Sequence, residues 1–414
     1  MAGTPTVLVA GAGVVGLATA VLLATGRCAE RLRVLVLDAR PVPRFRADEL
    51  DARVYALSRA SQQLLESTGV WRRIVETRAA PYRRMHVWEG EDAYGASAID
   101  FDSADIGEPD LGHIVEDSLL RTVLADALAA APRGQLVGAA EIAALDVQER
   151  EVVVALGNGG DIRGSVLLAA DGSDSAVRRL LDLPAAGRRY GQSAIVTHVA
   201  SSAPHLDTAW QRFLPGGPLA LLPLADGSSS IVWSLPTADA ERLLAASDGE
   251  FLAELNAASA GVIGELTACS KRIAFPLQAL HAQKYTAPRV ALLGDAAHTV
   301  HPLAGQGMNL GLLDAAAAAA VVEDALLAGE DVGDLKVLRR YERQRKGDNL
   351  AMLAAFDGLS RLFGLPGWAA PLRGFGMRAV EAAHPVKRLL MQKALGLTAG
   401  RRHRLRWSRA PRQA

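Results

Sequence analysis

The sequence predicts an α/β protein: a parallel sheet wound with helices, an inserted antiparallel sheet and a C-terminal helical segment. Three observations predict it. Apolar, strand-like runs lead through glycine- or aspartate-bearing turns into helices near residues 6–26, 166–181 and 290–326. Between about 185 and 285 the pattern changes to alternating runs separated by Pro/Gly turns, and after Tyr341 it becomes helical, with breaks expected at Pro366, Pro371 and Pro385. The chain has 414 residues, half of them hydrophobic, which suits two domains rather than one core. Its 45 basic and 45 acidic side chains cancel, so it has no charge signature for nucleic acid. Cys28 and Cys269 are too few for a disulfide framework, and a cytoplasmic address is expected.

The first element is "TVLVAGAGVVGLATAVLLATG": a strand, then Gly11-x-Gly13-x-x-Gly16, then a helix. Gly11 makes the tight turn, Gly13 lets backbone approach a pyrophosphate, and Gly16 lets helix and strand pack closely. The helix N-terminus offers unpaired N–H groups to phosphate. A second strand, "RVLVLDA", ends on Asp38, which suits ribose hydroxyls. This is a Rossmann-like dinucleotide site, and the motif alone does not separate NAD from FAD. The uncharged run Thr4–Gly26 is long enough to span a bilayer, but its glycines and the acidic-ended strand that follows favour the folded reading.

Two later turns repeat this geometry. "VLLAA" ends at Asp171-Gly172, with Ser173, Asp174 and Ser175 as candidate N-caps for "AVRRLL". "RVALLGDAA" ends at Asp295, and "GQGMNLGLLDAAAAAAVVEDAL" is a helix that begins with Gly305, Gln306, Gly307, Met308 and Asn309. Its N-terminus favours negative charge nearby. His298-x-x-His301 is half a metal motif without a third ligand, so no metal is expected and His298 reads as a structural hydrogen-bonder.

Taken in order, these motifs resemble the single-component aromatic flavoprotein monooxygenases of the para-hydroxybenzoate-hydroxylase type. "HPLAGQGMNLGLLDA", "YERQRKGDN" (341–349), "RVYALSRASQQLLESTGVW" (53–71) and "PVKRLLMQKALGL" (385–397) resemble the ubiquinone-biosynthesis hydroxylase branch, and the likeness runs from about residue 5 to 397. The resemblance implies a Rossmann-like FAD-binding domain with an inserted antiparallel β-sheet substrate domain. It implies FAD as tightly held cofactor, NAD(P)H as co-substrate and O2. Gly11, Gly13, Gly16 and Asp38 would take the adenosine half. Arg53 would lie near the pyrophosphate and the nicotinamide path. Arg121 is assigned beside it, with a solvated helical arginine as the alternative. Asp171 and Gly172 would serve both FAD and NAD(P)H, and Asp295 the ribityl and pyrophosphate region. Gly305, Gly307, Met308 and Asn309 would lie under the isoalloxazine edge, with Pro302 shaping the reactive side. No catalytic base is named, since the cofactor carries the hard chemistry.

The FAD-binding parts are placed at 1–80, 111–182 and 279–345. A β segment at 81–110 joins a substrate domain at 183–278, and "AFPLQ" (274–278) is expected to return the chain to the flavin domain. His198, Phe213, Leu221 and Trp233 are the candidate pocket residues. Residues 346–400 form C-terminal helices and 401–414 a basic tail, "RRHRLRWSRAPRQA", both expected at a membrane surface. A homo-oligomer, a location peripheral to the inner face of the membrane, and partners in a ubiquinone-biosynthetic complex are further expectations. The implied activity is hydroxylation of a polyprenylated phenol or quinol through a C4a-hydroperoxyflavin, first at ring position C5. C1 or C6 hydroxylation, a soluble aromatic substrate, and a non-enzymatic flavin-binding scaffold are the alternatives.

Overall fold

The structure is a computed structural model that describes residues 4–300, 306–365 and 369–397. The chain starts with β1 (Thr6–Ala10), α1 (Val14–Thr25), β2 (Arg33–Leu37), β3 (Val54–Ser58), α2 (Arg59–Ser67) and α3 (Trp71–Arg78). It continues through β4 (Ala79–Tyr82), β5 (Arg84–Glu89), β6 (Ala98–Asp102), β7 (Gly112–Glu116), α4 (Asp117–Ala130) and β8 (Gly134–Val137). A small meander, β9 (Ile142–Val147), β10 (Val152–Leu156) and β11 (Asp161–Gly164), leads to β12 (Val166–Ala169) and α5 (Ala176–Leu180). Then come β13 (Ala185–Ser201), β14 (Thr208–Leu214), β15 (Gly217–Pro223), β16 (Ser229–Pro236), α6 (Thr237–Ala245), α7 (Asp248–Ser259), β17 (Leu266–Cys269) and β18 (Ile273–Ala282). The rest is β19 (Thr286–Ala287), β20 (Val290–Leu292), β21 (His298–Thr299), α8 (Gln306–Ala328), α9 (Leu335–Phe363), α10 (Ala370–Ala382) and α11 (His384–Ala394).

Two large sheets organise the molecule. The first has order β19-β20-β12-β1-β2-β8 and is parallel apart from the β19–β20 edge pair. Its central strands β1, β12 and β20 are buried apolar runs, as a sheet covered on both faces requires. Val7, Leu8, Val9 and Ala10 are fully buried, in one core with α1 and α8. The three strand-to-helix turns read from the sequence all lie at the C-terminal ends of β1, β12 and β20. This is where ligands bind in open α/β sheets.

The second sheet has nine strands, in the order β21-β18-β13-β16-β15-β14-β5-β6, with β17 on β13. It is mixed rather than wholly antiparallel, because β14 pairs with β5 in parallel, from Thr208↔Arg84 to Phe213↔Glu89. Those two strands come from distant parts of the chain, so no hairpin turn imposes an antiparallel pair. The segment 274–278 also differs from expectation. It lies inside β18, which stays paired with β13 as far as Ala282. A third sheet, β3-β7-β4, stands between the two large ones. Pro371 and Pro385 open α10 and α11 rather than interrupting helices. At the first turn, the missing N–H costs nothing. Pro366 lies outside the described residues.

Candidate active site

The β1 turn has the geometry its glycines predict. Gly11 sits at φ 95° and donates its N–H to the Leu37 carbonyl at 2.8 Å. A Cβ there would stand 2.4 Å from the Ala170 oxygen, and one on Gly16 would stand 2.0 Å from the Gly11 oxygen. Gly13, the N-cap of α1, is different: a Cβ on it would meet nothing within 4 Å, and no side chain caps the helix. No side chain among the described residues thus takes up the first N–H groups of α1. Asp38 braces the turn, accepting from the Ala12 N–H at 2.7 Å and the Arg40 N–H at 2.8 Å.

Arg121 reaches the same turn. Its Nε donates to the Ala12 carbonyl at 3.2 Å, and it pairs with Asp117 at 3.3 Å. Asp117 also accepts from the Tyr55 hydroxyl at 2.9 Å. Arg53 lies 4.9 Å over the Phe275 ring. It is an accessible side chain whose pKa burial would lower, but Tyr55, Asp117 and Asp295 outweigh that and raise it.

At the β12 turn, Gly172 adopts φ 87°. Of the three candidate caps it is Ser175 that caps α5, accepting from the Arg178 N–H at 2.9 Å. Asp171 accepts from the Val177 N–H through Oδ2, while its buried Oδ1 has no partner among the described residues. Arg178 ties this turn to the β20 turn, donating to the Ser173 oxygen at 2.7 Å and the Ala296 oxygen at 2.8 Å.

At the β20 turn, Gly294 is left-handed, at φ 55°. Asp295, next in the chain, is reached by solvent, though protein crowds its carboxyl. Burial raises its carboxyl pKa, against the pull of His298 and Arg53. Behind it, Asp314 of α8 is fully buried. It accepts from the Gly294 N–H at 3.1 Å, His298 Nε2 at 2.6 Å, Arg345 Nε at 2.7 Å and Asn349 Nδ2 at 3.2 Å.

Gly307 and Met308 lie in the first turn of α8, half-buried. Asn309 follows them, with its side chain turned into the protein. Its Oδ1 accepts from the Ser58 N–H at 2.9 Å and the Ser61 hydroxyl at 2.7 Å, and its Nδ2 donates to the Ala56 carbonyl at 2.9 Å. The side chain clamps α8 to β3 and α2, so only its backbone is left for a ligand. Pro302 and Gly305 lie outside the described residues.

Strand alternation sorts the four pocket candidates, because residues directly opposite each other on neighbouring strands share a face. Trp233 pairs with Leu219, and Leu221 with Trp210. All four pack in a core with Phe251 and Leu255 of α7, on one face of the sheet. Leu221 and Trp233 are therefore core residues and not pocket residues. Phe213 is on the opposite face, clustered with Val300, Leu310 and Phe356 and stacked on Phe363 at 3.6 Å. His198 shares that face, and its Nε2 bonds the Asp51 carbonyl at 3.0 Å. The inward side chains of Pro218, Ala220, Leu222, Met85 and Phe101 are only half-buried. On the same face Phe275, opposite Ala194, lies under Arg53, so the inner face of this sheet meets the segment that precedes β3.

The motif reading missed Tyr55, Asp117, Arg178, Asp314, Arg345 and Asn349. Some were detectable: Asp314 is a lone charge in an apolar helical run, and Arg345 and Asn349 sit at i, i+4 on one helix face.

The residues present fit FAD. A helix N-terminus that no side chain caps suits a pyrophosphate, and the orphaned, buried Asp171 Oδ1 suits a hydroxyl donor.

Comparison with known proteins agrees. Residues 4–353 match a family described as an FAD binding domain. The 3-demethoxyubiquinol 3-hydroxylase of Escherichia coli K12 is 36% identical over 96% of this chain and 100% of its own length. The mitochondrial ubiquinone biosynthesis monooxygenase COQ6 of Rattus norvegicus is 34% identical over 93% of this chain and 90% of its own. The fold matches a solved structure of a probable FAD-dependent monooxygenase, pqsL, from Pseudomonas aeruginosa. Its TM-score is 0.74 at 24% identity, over 90% of this chain and 99% of that one.

Proposed function

Because the chain belongs to the FAD-binding monooxygenase family that includes the ubiquinone-biosynthesis hydroxylases, we propose that it hydroxylates the aromatic ring of a polyprenylated phenol or quinol. It is an FAD-dependent monooxygenase that uses NAD(P)H and O2. FAD supplies the oxygen-activating chemistry when bound, and the chain's residues bind, orient and exclude water.

In this reading the Gly11–Gly16 turn and the α1 N-terminus hold the pyrophosphate, and Asp38 meets the adenosine ribose. Arg53 and Arg121 neutralise the phosphates. Asp171, Gly172 and Asp295 take the hydroxylated linker, and Gly307 and Met308 offer backbone N–H groups to the ring edge. Phe213 and His198 belong to the opposite, substrate-facing wall. The observation that carries the reading is the meeting of the second sheet's inner face with the Arg53 segment: Phe275 lies under the Arg53 guanidinium and His198 bonds the Asp51 carbonyl.

The substrate's apolar tail calls for a lipid surface, and the C-terminal helices suit one. No helix among the described residues is long and apolar enough to cross a membrane. Leu372, Phe375, Leu389 and Leu390 nevertheless stand exposed on α10 and α11, with the exposed Arg378, Arg388 and Lys393 among them. Apolar side chains interleaved with cations match an anionic bilayer face. Phe375→Asp with Leu389→Asp should abolish co-flotation with anionic liposomes.

Mass spectrometry of lipid extracts from a strain lacking the gene tests the function. A prenylated phenol lacking one hydroxyl should accumulate while ubiquinone falls. Its structure names the ring carbon, C5 in the reading from sequence and C1 or C6 in the alternatives. Unchanged ubiquinone with no prenylated intermediate, and no second enzyme covering the step, would favour a soluble aromatic substrate.

A further inference from the structure

The cofactor motifs do not explain the buried charge set around Asp314. Asp314 accepts from four groups in two pairs: the Gly294 N–H and His298 Nε2 from the turn, and Arg345 Nε and Asn349 Nδ2 from α9. Arg345 also donates to Asn349 Oδ1 at 2.8 Å, so the α9 half is internally linked. All four partner residues and Asp314 are buried. Burial pushes the Asp314 carboxyl pKa up, but His298 and Arg345 overcome this and hold it well below the usual carboxylate range.

A buried charge set is a poor way to gain stability, since apolar residues of similar size often do as well or better. What this set does is fix geometry. Gly294 and His298 flank Asp295 on either side, and both are held by the same carboxylate. The left-handed Gly294 sets the direction of the turn, and its nearest neighbour on α8, Gly311, lies 3.7 Å from where a Gly294 Cβ would be. The Gly311 position itself is tight: a Cβ there would come 2.6 Å from Val15 of α1. The turn, α8 and α1 therefore meet closely at Gly294, Gly311 and Val15.

We propose that Asp314 is a positioning residue for the flavin: through Gly294 and His298 it sets the place of Asp295 without touching the cofactor. This rests on the assignment of Asp295 to FAD made above.

Asp314→Asn keeps the size but turns one acceptor into an amide donor, which must then face one of the two donor pairs. The FAD dissociation constant should rise roughly tenfold to a hundredfold, and the midpoint potential and visible absorption of the bound flavin should move. His298→Phe is the second variant, should Asp314→Asn fail to fold; it removes one of the two bonds to the turn and should raise the constant by about tenfold. Arg345→Met is the control. It releases only the α9 side, so the apoprotein should melt earlier while FAD affinity stays within about threefold. Parental FAD affinity and potential in Asp314→Asn and His298→Phe would overturn the proposal. So would a loss of affinity that simply follows the loss of melting temperature across all three variants. Asp295→Ala separates the two layers. If it binds FAD as the parent does, the assignment of Asp295 fails. If it loses affinity while Asp314→Asn does not, the positioning role alone fails.

Discussion

Asn309→Ala distinguishes a clamp from a cofactor contact. In the structure the Asn309 side chain is shared among Ser58, Ser61 and Ala56, and its residue is almost wholly buried. Truncation leaves the Ser58 N–H and the Ala56 carbonyl without their 2.9 Å partners. Ser61 can turn to the Ser58 hydroxyl, already 3.3 Å away, and is not counted. An unsatisfied buried polar group costs about 1–3 kcal/mol. Ser58 is nearly inaccessible and carries the full penalty, whereas Ala56 is half-buried and admits some water. The sum is about 3 kcal/mol. Urea denaturation of the apoprotein, followed by tryptophan fluorescence, measures it, and FAD titration of the same samples reports the cofactor side. The clamp predicts that most of the loss is present before FAD is added. Apoprotein stability within about 1 kcal/mol of the parent, with a large drop in FAD affinity, would refute the reasoning and return the side chain to the flavin edge.

Other predictions follow from neighbouring geometry. Gly13→Ala should leave the apoprotein's melting temperature unchanged, since its Cβ meets nothing, yet weaken FAD by about tenfold or more. Gly16→Ala should lower the melting temperature of the apoprotein itself, because its Cβ would lie 2.0 Å from the Gly11 oxygen; calorimetry of both variants checks the contrast. Trp233→Phe should cost roughly 1–3 kcal/mol of stability without changing KM, and Phe213→Leu should shift KM for the aromatic substrate. His86 is bonded through both ring nitrogens, to Asp100 at 2.8 Å and the Ala93 carbonyl at 2.6 Å. Burial opposes the charged ring, but these acceptors outweigh it and raise its pKa. A raised folded pKa means stabilisation that is complete below about pH 6.5 and is lost as pH rises through the folded value. An NMR titration of the His86 ring should therefore give a midpoint above the ordinary histidine value, and a midpoint at or below it would contradict the assignment.

The parts of the fold legible in the sequence are those encoded by local rules. The glycine turn at β1, the Ser175 cap and the turns at Asp171 and Asp295 each need particular residues within a few positions, and all three turns sit at strand ends of one sheet. What was not legible depends on partners far apart in the chain. Leu221 and Trp233 read as pocket residues because an apolar residue on a strand looks the same whichever face is lined; only α7 on the outer face, with Phe251, decides it. The parallel β5–β14 pair and the extension of β18 to Ala282 likewise follow from long-range pairing. Asn309 was placed correctly at the start of α8, but its side-chain partners lie some 250 residues earlier in the chain, beyond any motif spacing. Asp314, Arg345 and Asn349 form a single site only once α8 and α9 pack together.

The most direct test is oxygen transfer by the purified holoprotein. A polyprenylated phenol embedded in lipid nanodiscs would be supplied with NAD(P)H under heavy-isotope oxygen gas, and the lipid extract analysed by mass spectrometry. The account predicts one labelled hydroxyl on the ring and NAD(P)H oxidation stimulated by the substrate. Substrate-independent NAD(P)H oxidation that yields only hydrogen peroxide, with no labelled ring, would contradict it.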